Sequence, residues 1–197
     1  MTHFSKHPLT SFPSTAGVAR EELHFRRVDM RGFRRGDGLY EVEGHLTDRK
    51  PFDFIPSSGG DVVPAHTPVH DMSVRLVFDD QMIVREVHAF SASTPYAACP
   101  AAAPALQKLK GLPIAAGWSR EVRSRLAGAQ GCTHLVEIVV QLATAAYQSM
   151  TTVRANQPLA VDSEGRPLKI DSCYAYRTEG ELVKLQWPRW HRPSDAR

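Results

Sequence analysis

The sequence predicts an α+β fold in which helices pack on one face of an antiparallel sheet. Strand-like segments occupy the N-terminal part of the chain, helical segments the middle, and strand-like segments return near the end. Neighbouring strand-like segments are joined by short turn signals such as Asp37-Gly38 rather than by helices. Elements grouped in this way are typical of α+β proteins, whereas alternating strands and helices are typical of parallel sheets.

The composition is ordinary for a globular protein. The chain has 197 residues, 42% hydrophobic and 23% charged, which is enough for one domain with a hydrophobic core. We expect a flexible arm over residues 1–18 and a single domain over residues 19–197. The net charge is only +3, and the densest basic cluster, residues 26–35, contains one aromatic residue, Phe33. Because nucleic-acid surfaces interleave basic and stacking aromatic residues, we expect no nucleic acid partner.

Neither a membrane span nor a secretory leader is evident in the sequence. No apolar run approaches the roughly 18 residues that a membrane-spanning helix requires. Residues 1–7 lack the apolar core of a signal peptide. We therefore expect a cytoplasmic protein with no membrane partner. Three cysteines in a reducing compartment indicate free thiols or metal ligands rather than a disulfide scaffold.

Two hairpins are predicted in the N-terminal half. Residues with β propensity alternate with charged ones, and the turns fall at Asp37-Gly38 and Asp79-Asp80-Gln81. The predicted strands are residues 22–35, 39–48, 72–78 and 82–90. Between the hairpins, residues 51–68 have the Pro, Gly and Ser content that is typical of a loop.

Two short helices follow the hairpins. Pro100 suits the first turn of a helix, so Cys99 is predicted at or near the N-cap of a helix over residues 101–110. Ser119 is predicted to cap a second helix, residues 120–126.

The longest predicted helix covers residues 133–147. Apolar residues recur there at spacings of three and four, and no Gly or Pro interrupts them. These apolar residues are Leu135, Ile138, Val139, Leu142 and Ala146. A closing hairpin is predicted over residues 170–176 and 182–187. Cys173 lies in its first strand, where we expect it to pack, with a fourth metal ligand as the alternative.

Residues whose side chains can bind a metal or take part in catalysis lie at the ends of these elements, where side chains from distant segments can converge. His70 and Asp71 begin the third strand. Cys99 begins a helix, and Cys132 with His134 begins the longest one. A helix N-terminus favours a thiolate over a thiol. Two thiolates, an imidazole and a carboxylate suit zinc, and also iron or an iron–sulfur cluster, although free cysteines often merely pack.

Four segments in the middle of the chain carry a resemblance to a known family. They are Thr67-Pro68-Val69-His70-Asp71, Thr94-Pro95-Tyr96-Ala97-Ala98-Cys99-Pro100, Leu106-Gln107-Lys108-Leu109-Lys110-Gly111-Leu112 and Gly131-Cys132-Thr133-His134-Leu135. In order and spacing they resemble the NifU-like iron–sulfur cluster scaffold proteins. Those proteins run from an Asn-Pro-x-Cys-Gly-Asp segment through a strand hairpin and a Gly-Cys helix start to an Arg-x-x-Cys-x-x-Leu helix. This chain departs from that pattern, because His70 or Val69 replaces the first cysteine and Ala98 replaces the glycine.

The resemblance implies a NifU-like core over residues 68–150, with hairpins added at the N-terminal and C-terminal ends. The whole chain also resembles a bacterial family of uncharacterised proteins. The segments that carry this second resemblance are His-Asp-Met, Pro-Tyr-x-x-Cys-Pro and Gly-Cys-Thr-His-Leu. This second family implies no activity.

The resemblance to the NifU-like proteins implies a metal-binding protein that holds zinc or iron/iron–sulfur. The implied ligands are His70, Asp71, Cys99 and Cys132, with His134 as an alternative to His70. Three protein ligands would leave a coordination position open, as a metal-dependent lyase or hydrolase requires. The partner would then be a small-molecule substrate, or a protein that exchanges a metal ion or cluster.

Two other functions remain open. Cys132 is a candidate metal-free nucleophile for an acyl ester or thioester. Its base would be His70 or His134, oriented by Asp71 or Glu137. We expect His70 to be better placed than His134, because helical side chains two positions apart point to different faces. The third function is that of a non-catalytic interaction domain.

Other polar residues are assigned structural roles. Asp48 is predicted to be a turn former at a strand end, and Glu137 a salt-bridge partner on a helix surface. Three further histidines, His45, His66 and His88, are expected on the surface or on a strand face, with an extension of the His70 site as the alternative role for His66.

Overall fold

The computed structural model describes residues 17–57, 59–155 and 157–193. The chain forms two compact units, of which the first ends at Ser149 and the second begins at Met150. The single domain predicted over residues 19–197 stays a prediction. Most of the predicted arm, residues 1–18, lies outside the described residues.

The first unit contains a four-stranded antiparallel sheet whose strands lie in chain order. The strands are β1 (Phe25–Arg34), β2 (Tyr40–Arg49), β3 (Pro68–Phe78) and β4 (Val84–Ser93). The prediction of an antiparallel sheet in an α+β fold is confirmed, and so is the N-terminal hairpin of β1 and β2. The NifU-like character of the core stays a prediction.

The helices of the first unit follow the sheet in the chain. They are a 3₁₀ helix (Cys99–Leu109), α1 (Trp118–Leu126), a 3₁₀ turn (Gly128–Gln130) and α2 (Thr133–Ser149). The segment after Cys99 is 3₁₀ rather than α-helical, and Pro104 inside it removes a backbone donor. Gly117 rather than Ser119 precedes α1, since the helix starts earlier than predicted. Within the described residues, each helix is too short or too polar to cross a bilayer.

α2 packs on the sheet through the apolar face that its sequence predicts. The five residues of that face, Leu135, Ile138, Val139, Leu142 and Ala146, are all fully buried. Alternate residues of β2 and β3 are buried as well, namely Val42, Leu46, Met72, Val74 and Leu76. Gly44 permits the close approach of helix and sheet, because a Cβ at this position would lie 2.5 Å from Cγ2 of Ile138. This face of the sheet is therefore the one that α2 covers.

Asp79 organises the turn between β3 and β4. Its Oδ1 accepts the backbone N–H groups of Gln81 and Ile83 at 3.0 and 2.8 Å, and its Oδ2 accepts a hydrogen bond from Arg85. Burial favours the protonated carboxyl group, but these donors outweigh it and hold the pKa of Asp79 below its ordinary value.

We expect Asp79→Ala to lower the free energy of unfolding by about 1–3 kcal/mol at neutral pH, because three donors lose their acceptor. The folded-state pKa of Asp79 is depressed, so its contribution is complete above the unfolded-state pKa of about 3.9 and disappears as the pH falls through the folded-state pKa. Urea unfolding of wild type and variant at neutral and acidic pH measures both effects. Asp80→Ala is the matched control, since Asp80 is an exposed neighbour in the same turn. Equal losses in the two variants would contradict this role.

The second unit is built from short helices and loops. They include α3 (Thr151–Arg154), a 3₁₀ turn (Tyr174–Tyr176), α4 (Glu181–Gln186) and a 3₁₀ turn (Pro188–Trp190). The predicted closing hairpin over residues 170–176 and 182–187 is therefore wrong. Asp171 accepts hydrogen bonds from the N–H and the hydroxyl of Thr178, which closes this part of the chain into a loop. Cys173 is exposed rather than packed in a strand.

Candidate functional site

A buried carboxylate lies on an interior strand of the sheet. Asp48 is 2% exposed, which corrects the prediction of a turn former at a strand end. In β2 it lies directly opposite Arg26 of β1 and His70 of β3. Because directly opposite residues share one face of a sheet, these three side chains lie on the same side, the side that α2 covers. The strand register therefore assembles the first part of the site.

Arg26 holds both carboxylate oxygens of Asp48. Its Nε donates to Oδ1 at 2.7 Å and its Nη2 donates to Oδ2 at 2.8 Å, the two-pronged arrangement of strong arginine–carboxylate pairs. His24 Nε2 lies 3.0 Å from Oδ1. The Nη1 of Arg26 donates to Oε2 of Glu137 at 2.6 Å, which confirms the predicted salt-bridge role of Glu137. The guanidinium group thus connects the sheet to the start of α2.

Two imidazole rings approach the same carboxylate. His70 Nδ1 lies 3.0 Å from Oδ2 of Asp48, and His134 Nε2 lies 3.8 Å from the same oxygen. The centroids of the two rings are 3.8 Å apart, and their planes are inclined by 33°. His134 and Glu137 are three residues apart on α2, so they lie on the same side of the helix.

The arrangement is compatible with a bound metal ion. One ligand atom from each of Asp48, His70 and His134 lies within 4.8 Å of the other two. His70 Nδ1 is buried and has no hydrogen-bond partner among the described residues, since its contact with Asp48 has the separation of an ion pair but not the geometry of a hydrogen bond. A buried nitrogen without a partner is uncommon in folded proteins. A metal ion bound here would accept the lone pair of His70 Nδ1.

The charge states of Asp48 and His70 suit metal ligation. Burial raises the pKa of Asp48, but the hydrogen bonds and the charge of Arg26 outweigh burial and hold that pKa below its ordinary value. Burial and the neighbouring charge of His134 lower the pKa of His70. At neutral pH, Asp48 is therefore a carboxylate and His70 a neutral imidazole, which are the forms that bind metals.

Cys132 contacts this site through His134. Its Sγ lies 4.0 Å from Nδ1 of His134, although we expected His70 to be the better placed base. Cys132 precedes the first helical residue, so the spacing rule for two residues within a helix does not apply. Burial raises the pKa of Cys132, but His134 and the backbone N–H groups of His134 and Leu135 outweigh burial and lower it. The hydrogen bond between His134 and Cys132 raises the pKa of His134, against the effect of burial.

Asp71 and Cys99 do not join this group. Asp71 follows His70 in β3, so it faces the other side of the sheet, where its Oδ1 lies 2.7 Å from Nε2 of His45. Cys99 begins the 3₁₀ helix and belongs to no group of three candidate ligands in the described part of the chain. Of the four predicted ligands, His70, Asp71, Cys99 and Cys132, only His70 belongs to this group of candidate ligands. Cys132 contacts the group through His134.

Asp48, Arg26 and His24 were not predicted as site residues. A signal for Asp48 is present in the sequence, because it follows Val42 and Leu46 at even spacings in one strand. A strand that turns those apolar residues inward turns Asp48 inward as well, and a buried charge needs a partner. No local pattern marks Arg26 or His24, since their contacts depend on how β1 pairs with β2.

A cleft of about 580 Å³ lies on the opposite face of the sheet. Three charged groups of its lining already have partners: Arg75 donates to Glu43 at 2.7 Å, and Asp29 accepts a hydrogen bond from the neighbouring Arg27 at 2.6 Å. None of the buried polar side-chain atoms that lack a hydrogen bond in the described residues belongs to its lining. The Asp48 site is therefore the stronger candidate.

Comparison with known proteins places the chain in a family. The family described as “Protein of unknown function (DUF2889)” matches residues 24–148, a range that begins at His24 and contains the whole Asp48 site. No curated protein and no solved structure matches. The resemblance to NifU-like scaffold proteins therefore stays a prediction.

Proposed function

This chain belongs to the DUF2889 family, whose matched residues cover more than half of it, and we propose that its function is to bind a divalent transition-metal ion through Asp48, His70 and His134. The observation that carries the proposal is the mutual approach of one carboxylate oxygen and two imidazole nitrogens within 4.8 Å. An ion about 2.0–2.2 Å from each of three such atoms is a normal coordination geometry.

The donor set indicates the class of metal. Imidazole nitrogen with carboxylate oxygen suits zinc and also ferrous iron, whereas a set with fewer nitrogens would favour magnesium or calcium. Three protein ligands leave at least one position for water or a substrate. A metal ion held in this way polarises a bound carbonyl group or activates a water molecule. A metal-dependent hydrolase or lyase is the class of enzyme that such a centre supports.

The surroundings supply the second layer of contacts that metal sites use. A metal-ligating histidine usually donates its other ring N–H to a fixed acceptor. With Nε2 of His134 on the metal, its Nδ1 would donate to the sulfur of Cys132, 4.0 Å away. His24, whose Nε2 lies 3.0 Å from Oδ1, helps to fix the orientation of the Asp48 carboxylate. Cys132 thus acts beside the metal rather than on it.

Metal content tests this proposal. We expect untagged wild-type protein, dialysed against zinc and then against buffer, to retain about one zinc per chain. His70→Ala is expected to lose this zinc, because His70 supplies one of the three ligands. His88→Ala is the matched control, since His88 is an exposed histidine that pairs with Glu86. Equal zinc retention in His70→Ala and wild type would refute the proposed ligand set.

A second function is favoured by the contact between Cys132 and His134. His134 would take the thiol proton of Cys132, and the sulfur would bond to the acyl carbon. The ester C–O or thioester C–S bond would then break, and His134 would pass the proton to the departing oxygen or sulfur. An acyl adduct on Cys132, detected by mass after treatment with an activated ester, would support this function. Cys132→Ala is expected to lose the adduct, and Cys99→Ala to keep it. Absence of an adduct from wild type excludes the acyl function and leaves metal binding unaffected.

A further inference from the structure

The Asp48 carboxylate already holds a cation, which is the guanidinium group of Arg26. Its Nε and Nη2 donate to the two carboxylate oxygens at 2.7 and 2.8 Å. The oxygen that accepts from Nη2 is Oδ2, which is also the oxygen nearest to His70 Nδ1 and His134 Nε2. A metal ion in contact with these three atoms would therefore share an oxygen with Arg26.

We propose that Arg26 competes with the metal ion for Asp48 and so sets the metal affinity of the site, an inference that rests on the metal-binding function proposed above. Two cations on one carboxylate repel each other, and screening by solvent is weak here because Asp48 is 2% exposed. This repulsion weakens metal binding as long as Arg26 stays in place. Metal binding is strongest when Arg26 withdraws.

A second carboxylate lies beside Arg26, and the guanidinium group can move towards it. Its Nη1 donates to Oε2 of Glu137 at 2.6 Å. The Arg26 and Glu137 side chains are 35% and 37% exposed, so the guanidinium group has solvent on the Glu137 side and protein on the Asp48 side. Movement toward Glu137 would keep one ion pair and release Asp48 to the metal. Two carboxylates thus offer Arg26 two positions, and a metal ion favours one of them.

Zinc titration of folded protein, followed by calorimetry or with a competing chelator dye, tests this competition. We expect Arg26→Gln to bind zinc at least about tenfold more tightly than wild type, because the competing charge is removed. Arg26→Lys keeps the charge and is expected to stay close to wild type. Arg27→Gln is the matched control, since Arg27 lies one residue away on the opposite face and pairs with Asp29. A structural role of Arg26 alone would weaken zinc binding, not strengthen it.

Glu137 provides an independent measurement through a double-mutant cycle. Glu137→Gln removes the alternative partner of Arg26, so it is expected to weaken zinc binding in the wild-type background. In the Arg26→Gln background the same change is expected to have little effect. Equal weakening in both backgrounds would mean that Glu137 acts on the metal directly, and it would contradict the role given to Glu137 as the position to which Arg26 withdraws.

The outcomes separate this inference from the function on which it rests. Thermal unfolding first establishes that each variant is folded. Unchanged or weaker zinc binding by folded Arg26→Gln, with zinc binding by wild type intact and lost in His70→Ala, overturns the competition and leaves the metal site standing. Failure of wild type and Arg26→Gln alike to bind zinc overturns the metal site and the competition together.

Discussion

Asp48→Ala is expected to lower the free energy of unfolding by about 3–5 kcal/mol when metal is removed with a chelator. Asp48 is 2% exposed and lies within 3.0 Å of side-chain nitrogens of Arg26, His24 and His70. Removal of the carboxylate leaves Arg26 and His24 without their common acceptor and His70 without its neighbouring charge, in a place where water replaces the carboxylate poorly. Urea unfolding in the presence of chelator measures the loss.

Asp71→Ala is the matched control for Asp48→Ala. Asp71 also pairs with a histidine, His45, at 2.7 Å, but its side chain is 30% exposed and lies on the opposite face of the sheet. Exposed ion pairs contribute little, so the expected loss is below about 1 kcal/mol. Similar losses for the two variants would show that Asp48 is no more important to the fold than a surface carboxylate.

Excess zinc is expected to stabilise the wild-type protein strongly. A ligand that binds only the folded state adds about 4 kcal/mol to the free energy of unfolding when its free concentration is a thousandfold above the dissociation constant. The three proposed ligands come from β2, β3 and α2, so they meet only in the folded chain. Unfolding measured with zinc and then with chelator gives the difference directly.

The stabilisation by zinc is expected to depend on the site formed by Asp48, His70 and His134 and not on the number of histidines in the chain. His70→Ala is expected to lose the stabilisation, because it removes one ligand. His45→Ala is expected to retain it, since His45 pairs with Asp71 on the other face of the sheet. Both variants remove one histidine, so weak zinc binding by the unfolded chain affects them equally. Stabilisation that persists in His70→Ala would place zinc elsewhere.

Sequence patterns gave much of the fold of the first unit. The five apolar residues that recur at the helical period in α2 are all buried. The turn signal at Asp37-Gly38 correctly joins β1 to β2, with φ of Gly38 at 85°. The prediction of a closing hairpin was wrong because its strand-like runs are short. A short run of apolar and polar residues fits a loop or a helical turn equally well. In the structure the first run lies in a loop in which Asp171 accepts hydrogen bonds from Thr178, and the second run forms α4.

Sequence patterns predicted only some residues of the candidate site. His70, His134 and Cys132 were found because they stand at the starts of elements, where chemistry is common. Asp71 was expected beside His70, but adjacent residues in a strand face opposite sides, so only one of them lies beneath α2. Asp48 was missed because its importance depends on three partners that lie at a distance in the chain.

The sequence by itself determined where α2 lies, how β1 turns into β2, and which residues bring imidazole and thiol groups to the ends of elements. These features depend on neighbours a few positions apart, so local periodicity is enough to specify them. Only the tertiary structure decided that Asp48 is the common acceptor of the site. Arg26 and Glu137, which are 111 positions apart, meet beside it because strand register and the packing of α2 align them, and both result from the whole fold.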